Sequence, residues 1–212
     1  MDNKNNKTVI IDNQYLPCLI YFKILSKDTN VKIEQCEYFE KMSFRNRCFL
    51  AGPNGLLSLS VPVENGRNQR TIVRDVKISY RENWPLIHWR SVHDAYRKAP
   101  FFEWYMDDIK ALFETRPVYL FDWNLKWLEW LIKQSGLSIQ PGFTEQYQLT
   151  YASGELDLRS AITPKNYLQY KGLPVYTQVF SHRQPFMPNL SFLDLLLCEG
   201  KRAGQILVDS SG

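Results

Sequence analysis

The sequence predicts an α/β fold with a mixed β-sheet and helices packed against it. Strand-like and helical apolar patterns alternate along the first 35 residues, a hairpin signal follows, and from residue 84 the apolar period becomes helical. Of the 212 residues, 44% are hydrophobic and 23% charged, which excludes disordered, collagen-like and coiled-coil proteins. The length and the lack of internal repeats or linkers predict one domain over residues 1–212, with a core of about residues 8–200.

The first elements predict a βαβ unit. Residues 8–12 and 30–35 have the patterns of strands, and residues 15–26 are apolar and long enough for a helix. Pro17 would lie in the first helical turn, where its missing N–H costs little. Because the three elements follow one another within about 30 residues, we expect the two strands to be parallel neighbours.

The next segment predicts a β-hairpin and a further strand. Apolar runs over residues 46–63 flank a Gly-Pro-Asn-Gly turn at residues 52–55, and Asn-Gly favours the left-handed turn conformation. Residues 64–71 are polar and basic, which predicts a loop. Residues 72–79 alternate apolar and polar side chains, a pattern typical of a strand.

Three helices should follow. Residues 84–98 place Trp84, His88, Val92 and Tyr96 four apart, so these side chains share one face. Residues 101–114 have a second amphipathic pattern. A third helix should begin at an N-cap on Asp122 and end at Gly136.

The C-terminal part has fewer regular patterns. Residues 137–173 predict a loop with one strand around Tyr147–Tyr151, and residues 174–180 predict another strand. Ser191 should cap a helix that ends at a glycine. Asp194, three residues after Ser191, resembles the acid of a capping box, and the cap alone would explain it.

No metal or cofactor is predicted. The four cysteines are scattered, without a CxxC pair, and this does not support a zinc ribbon or a thioredoxin-like protein. His88 and His93, five apart on a helix, would lie about 140° apart around its axis and could not easily share one metal. Signatures of serine hydrolases, Rossmann dinucleotide-binding proteins and P-loop NTPases are lacking.

Charge suggests an anionic partner. The net charge is +4, but residues 41–98 carry eleven Lys or Arg and four acids, a local +7. Such a field favours phosphate, a nucleotide-linked substrate or nucleic acid, and the alternative is a solvated basic face. Arg45, Asn46 and Arg47 form a compact donor cluster suited to phosphate, or a solubility cluster at a strand edge. Nucleic acid is disfavoured, because the aromatic residues there have helical core spacing rather than the spacing of a stacking platform.

Two histidines are candidate catalytic residues. His182 follows a predicted strand and lies in a loop, where functional residues are common. His88 is a candidate acid or base beside Trp84 and Tyr96; the alternative is a core histidine packed among aromatic rings. No apolar run approaches the roughly 18 residues that span a bilayer, and the N-terminus lacks the apolar region of a secretory signal. We therefore expect a cytoplasmic protein without membrane insertion.

Four ordered segments resemble the WbqC-like protein family. Residues 174–200 contain a Tyr-x-Gln-x-Phe strand motif, a histidine, and Pro-Asn-Leu-Ser-x-x-Asp-Leu-Leu before a glycine. YLPCLIYF, NRCFL with LSVPV, and WPLIHW with AYRKAPFF agree in order, so the resemblance runs from about residue 9 to residue 200. The chain departs from the family pattern at residues 12–15, which read Asp-Asn-Gln-Tyr where many members place Gln-Pro or His-Gln-Pro.

The resemblance implies a bacterial group-transfer enzyme of O-antigen or surface-polysaccharide biosynthesis. It would transfer a glycyl, aminoacyl or acyl group to an anionic activated precursor such as a nucleotide-linked amino sugar. The alternative is a non-catalytic binding or scaffold protein for an anionic ligand of the sugar-nucleotide type.

The same hypothesis assigns roles to individual residues. Arg45, Arg47 and the 67–74 loop would hold phosphate, and His182 would be the general base. We expect His182 to meet Tyr176, Gln178 and the Arg45–Arg47 segment at the mouth of one pocket, near the N-terminus of the helix capped by Ser191. The predicted substrate-binding positions are Tyr15, Arg45, Asn46, Arg47, Trp84, Tyr96, Tyr176, Gln178 and Asn189.

Overall fold

A computed structural model of the chain describes residues 7–27, 30–64 and 70–210, and the middle of the predicted basic loop lies outside these ranges. The predicted βαβ unit is confirmed: β1 (Thr8–Asp12) and β2 (Asn30–Glu34) pair in parallel and are joined by α1 (Leu19–Ser26). The helix begins at Leu19 rather than at residue 15. Leu16 has a left-handed backbone with φ of 43°, and Cys18 forms a β-bridge instead of a helical turn.

The predicted hairpin is also confirmed, as β3 (Arg47–Gly52) and β4 (Gly55–Ser60). They form a separate antiparallel pair. The positive φ of the turn, 110°, belongs to Gly55, the residue type that adopts it at least cost.

Residues 72–79 do not form the predicted strand. Val73–Asp75 is a short 3-10 turn, and the rest makes only isolated bridges. The apolar alternation has another origin, because Val73, Val76 and Ile78 are all buried in the core.

The three predicted helices are α2 (Trp84–Tyr96), α3 (Phe102–Glu114) and α4 (Leu120–Ser135). Asp122 is not the N-cap of α4: the cap position is Tyr119, and Asp122 lies in the first turn, where a carboxylate complements the helix dipole. Gly136, with φ of 69°, ends the helix as predicted.

The predicted strand around Tyr147–Tyr151 is wrong. The two strands of the 137–173 stretch are instead β5 (Gly142–Phe143) and β6 (Glu155–Asp157), which are too short to show a period in the sequence. The larger sheet has the order β5-β2-β1-β6, and each neighbouring pair is parallel.

The C-terminal part contains α5 (Phe192–Glu199) and α6 (Ala203–Asp209). The Ser191 cap is confirmed, since its Oγ accepts the Leu193 N–H at 3.3 Å. Residues 174–180 are not a strand and hold their position through side-chain hydrogen bonds described below. α5 packs on α1, where the rings of Phe22 and Phe192 stack at 4.2 Å. None of the helices in the described ranges has the length and apolar character needed to cross a membrane.

Candidate functional site

Three strands of the parallel sheet end at carboxylates on one edge. β1 ends at Asp12, β2 at Glu34 and β6 at Asp157. Asp12 and Glu34 are fully buried. Ligands of open α/β sheets bind outside the carboxyl ends of the strands, so this edge is the first place to search for a site.

Arg45 crosses this edge with a completely buried side chain. Its Nε and Nη2 donate to Oε1 of Glu37 at 3.0 and 2.5 Å. Its Nη1 lies 3.5 Å from Oε2 of Glu40 and 3.9 Å from Oδ2 of Asp12. Nη2 also donates to Oγ of Ser160 at 3.1 Å. One guanidinium thereby joins β1 to the segments before β3 and after β6.

A second guanidinium, of Arg159, lies on the Glu34 side of the edge. Its Nη2 donates to Asp157 at 2.6 Å, and its Nη1 is 3.6 Å from Oε2 of Glu34. Glu34 also accepts hydrogen bonds from Thr144 Oγ1 at 2.8 Å and Tyr151 OH at 3.0 Å. The β5 and β6 ends are therefore tied to the end of β2.

The charged residues that meet at the carboxyl ends of the strands include more acids than bases. We call these residues, together with Ser160, the carboxyl-edge cluster. Its members are Asp12, Glu34, Glu37, Glu40, Asp157, Arg45, Arg159 and Ser160. Five carboxylates against two guanidiniums give a formal charge of −3. Burial raises the pKa of Glu37 to about 7, although Arg45 opposes the shift. Glu37 can therefore exchange a proton near neutral pH.

Some buried acceptors beside the carboxyl-edge cluster, among them those of Asn13 and Gln14, have no hydrogen-bond partner within the described residues. Asn13 donates its Nδ2–H to the carbonyl of Phe121, and Gln14 donates its Nε2–H to Asp12 at 3.2 Å. Their oxygens, Oδ1 and Oε1, are unpaired. Ser160 adds strain, because a non-glycine residue holds φ of 53° there. Unpaired buried acceptors and strain are common features of binding sites.

The predicted Arg45–Arg47 donor cluster is not a phosphate clamp. Arg45 is neutralised inside the carboxyl-edge cluster, whereas Asn46 donates to the carbonyl of Val61 at 2.9 Å. Arg47 donates to Oγ of Ser60 at 3.2 Å. Successive residues entering a strand point to opposite faces, so the three side chains do not converge.

Tyr15, Trp84 and His88 lie in the core. Tyr15 OH pairs with Nδ1 of His88 at 3.1 Å, and the His88 ring packs against Trp84 at 5.0 Å and Phe113 at 6.3 Å. Burial lowers the pKa of His88 to about 4. His88 is therefore the core histidine of the alternative interpretation, because its ring is buried among aromatic side chains.

Tyr96, Tyr176 and Gln178 converge on the carboxylate of Asp194, and we call these four residues the Asp194 network. Both tyrosine hydroxyls donate at 2.5 Å and Gln178 Nε2 at 3.3 Å. Asp194 is fully buried, and burial raises its pKa. The helix cap alone therefore does not explain Asp194, and that prediction is wrong. Its side chain joins α2, the 174–180 segment and α5.

The side chain of Asn189 is also engaged in hydrogen bonds that hold the fold together. Its Oδ1 accepts the N–H of Ile20 at 2.9 Å, and its Nδ2 donates to the carbonyl of Tyr167 at 2.6 Å. Asn189 is buried and holds φ of 54°, a conformation that asparagine tolerates better than most residues. It links the start of α1 to the loop before α5.

His182 is exposed and lines a cleft of about 180 Å³ together with Arg97, Lys98 and Arg183. The expectation that Arg45 shares this pocket is wrong. Gln184, two residues further on, bonds to the hairpin turn, whereas Arg45 precedes the opposite end of β3. A strand of this length separates them by roughly 16 Å.

Sequence reasoning missed the acids of the carboxyl-edge cluster. The signal was present, because Asp12 and Glu34 end the two strands of the predicted βαβ unit. The short β5 and β6, which bring Asp157 and Ser160 to the edge, gave no comparable signal. No group of three or more His, Cys, Asp or Glu within residues 7–27, 30–64 and 70–210 is arranged to hold a metal ion.

The model of the WbqC-like protein family matches residues 13–165, well over half of the chain. The chain belongs to the WbqC-like protein family. The match covers every residue of the carboxyl-edge cluster except Asp12, together with three of the four segments noted in the sequence. The fourth, which contains His182, lies beyond the matched range of this family member. Comparisons with curated proteins and with solved structures gave no significant match.

Proposed function

We propose that this WbqC-like protein is a group-transfer enzyme that acylates an amine-bearing substrate at the carboxyl-edge cluster. The observation that carries the proposal is the position of Glu37, a buried carboxyl beside the carboxyl ends of parallel strands, where burial raises its pKa to about 7. Such a group accepts a proton at physiological pH, which an ammonium group must lose before its nitrogen becomes a nucleophile. Membership of the WbqC-like family, which suggests a role related to polysaccharide biosynthesis, supports an amino sugar as the acceptor.

Charge supports an ammonium group at this edge rather than an anion. The formal charge of −3 attracts a cation, and the guanidinium of Arg45 is already surrounded by carboxylates. The unpaired oxygens of Asn13 and Gln14 can accept N–H donors. An ammonium supplies three donors and one positive charge, so it matches both features.

The transfer step assigns Glu37 as general base. The amine nitrogen attacks the carbonyl carbon of an activated acyl donor, such as a thioester. Before this attack, Glu37 takes one proton from the bound ammonium group. As the new C–N bond forms, the bond to the leaving group breaks with its electron pair, and the second proton of the nitrogen passes to the leaving thiolate. Arg45 holds Oε1 of Glu37, while Oε2 has no hydrogen-bond partner within the described residues and is the oxygen that takes the proton.

Ser160 is a positioning residue in this scheme. Its Oγ donates to Oε2 of Glu40 at 2.6 Å and accepts from Arg45, so its orientation is fixed from both sides. A fixed hydroxyl at the open side of the edge can orient the acceptor near Glu37. Glu40 itself is 59% exposed, which marks the side from which a ligand would enter.

The test combines the protein with aminoacyl or acyl thioesters and a nucleotide-linked amino sugar, and measures the amide product by mass spectrometry. We expect product from the free amine and none from its N-acetylated form. Glu37→Gln should lower turnover by about a hundredfold or more, because a positioned general base contributes that much. The control is Glu82→Gln, an exposed glutamate before α2, which should turn over as the wild type does.

Two results would contradict the proposal. Wild-type turnover in Glu37→Gln would remove this residue as the base. Thermal stabilisation by the amino sugar nucleotide without product from any donor would favour the non-catalytic binding protein instead. A ligand whose free concentration is about 100 times its dissociation constant raises the free energy of unfolding by roughly 2.7 kcal/mol, which a thermal melt detects.

A further inference from the structure

A second, oppositely charged cleft lies at the far end of the β3–β4 hairpin. Ala95, Val179 and Phe180 contribute its apolar part, and Arg97, Lys98, His182 and Arg183 contribute its polar part. We call it the His182 cleft. It shares no residue with the carboxyl-edge cluster, so its function can be argued independently of the acyl transfer proposed above.

The cations of the His182 cleft are not compensated. Arg97, Lys98 and Arg183 have no carboxylate within 4.0 Å anywhere in the described ranges. Asp94 is the one acid in the lining, and its Oδ1 is 3.1 Å from Nδ1 of His93. The lining of the cleft therefore carries three exposed positive charges and one acid, and that acid is paired with His93.

The end of α2 explains only part of this charge. Arg97 and Lys98 follow the last helical residue, where cations complement the helix dipole. Arg183 comes from a different segment and has no helix end of its own to neutralise. Cations from two separate segments therefore line the same cleft, beside the exposed His182.

The loop that carries His182 is held in place before any ligand arrives. Its backbone is closed by hydrogen bonds from Ser181 N–H to the Gln178 carbonyl and from Arg183 N–H to the Phe180 carbonyl. Gln184 Nε2 donates to the carbonyls of Gly52 and Pro53 at 3.1 and 2.7 Å. A loop fixed in this way loses little entropy when it binds.

We propose that the His182 cleft binds a phosphate monoester or free phosphate, with Arg97, Lys98 and Arg183 as the cationic ligands and His182 as a hydrogen-bond donor. Arginine forks match the oxygens of a phosphoryl group. A volume of about 180 Å³ is below the roughly 300 Å³ at which drug-sized sites begin, so one phosphoryl group fits better than a whole nucleotide.

The experiment titrates the full chain with inorganic phosphate at low ionic strength, followed by the NMR signal of the His182 ring. A parallel titration uses a hexose 1-phosphate. We expect saturable shifts, and Arg97→Gln with Arg183→Gln should weaken binding at least tenfold. The control, Arg74→Gln with Arg90→Gln, removes the same charge from exposed arginines elsewhere and should bind as the wild type does.

The two titrations separate the source of the anion. Tighter binding of the hexose phosphate identifies a phosphorylated sugar, and equal binding identifies phosphate itself. Shifts that grow linearly without saturation, or equal weakening in both double variants, would overturn the proposal. Neither result affects the proposed acyl transfer, because Glu37 and its partners are unchanged in all these variants.

Discussion

The carboxyl-edge cluster and the Asp194 network both bury carboxylates, but they satisfy them differently. Asp194 receives three neutral donors, and Tyr96 OH also accepts the N–H of Ala51 at 2.9 Å. Gln178 is likewise saturated, since it both donates to and accepts from the backbone of Met187. At the edge, five acids share two guanidiniums while the oxygens of Asn13 and Gln14 remain unpaired.

The difference separates a structural network from a candidate site. A buried polar network with every member paired rigidifies the fold and leaves nothing for a ligand to contribute. Excess charge and unpaired acceptors cost stability in the unliganded protein, and a ligand of complementary chemistry recovers that cost. The functional residues predicted from sequence in the Asp194 network, Tyr96, Tyr176 and Gln178, therefore have a structural explanation.

The largest expected effect on stability comes from removing the centre of the Asp194 network. Asp194→Ala leaves two buried tyrosine hydroxyls without their acceptor and should lower the free energy of unfolding by about 4 kcal/mol. Glu37→Gln keeps an acceptor for Arg45 and should change it by less than about 1 kcal/mol. Urea denaturation of both variants measures the contrast. Equal losses would mean that the two clusters do not differ in role.

The next effect comes from His88, which lies on α2 between the two regions. Its pKa is lowered to about 4 in the folded state, so the unfolded state binds the proton first as pH falls. Its contribution is fully present above pH 6.5 and is lost progressively towards pH 4, by about 3 kcal/mol. Subtracting the unfolding curve of His88→Gln from that of the wild type at each pH isolates it. A difference independent of pH would show that His88 is protonated normally.

The smallest effect concerns the cap that presents Asp194. Ser191→Ala should lower the free energy of unfolding by about 1 kcal/mol, because the Leu193 N–H loses its acceptor. Ser191→Asp should cost more than the alanine variant, since position 191 is buried and a charged carboxylate there must lose its hydration. Thermal melts of the two variants show which of them is less stable. An aspartate as stable as the wild type would indicate that solvent reaches the cap.

The sequence predicted local elements well where one pattern was long and continuous. The βαβ unit, the hairpin and α2 to α4 were correct, because each buries one face along several turns or strand residues. The strands predicted at residues 72–79 and 174–180 were wrong because tertiary hydrogen bonds, rather than a ladder, hold those segments. Leu120 starts α4 without any side-chain cap, so no capping residue could have shown where it begins.

Candidate site residues were harder to predict for a related reason. Arg45 looked like a free surface donor, because no local pattern shows that it lies among the carboxylates of Asp12, Glu37 and Glu40. Its partner Ser160 is 115 residues away along the chain. Asp194 looked like part of a local cap, because Tyr96 is 98 residues away. Residue types and spacing identify what a side chain can do, but only the tertiary contacts decide whether it is already engaged.

The parallel order β5-β2-β1-β6 determines when, during translation, the residues of the carboxyl-edge cluster can first come together. Asp12 accepts the N–H of Ser160 at 3.2 Å across 148 residues of chain. At ribosomal rates of 5–20 residues per second, roughly 7–30 s pass between the synthesis of the two residues. The βαβ unit emerges early, but a growing chain has no complete carboxyl edge until its third quarter is finished. Truncated products that end before Ser160 therefore lack a complete carboxyl-edge cluster.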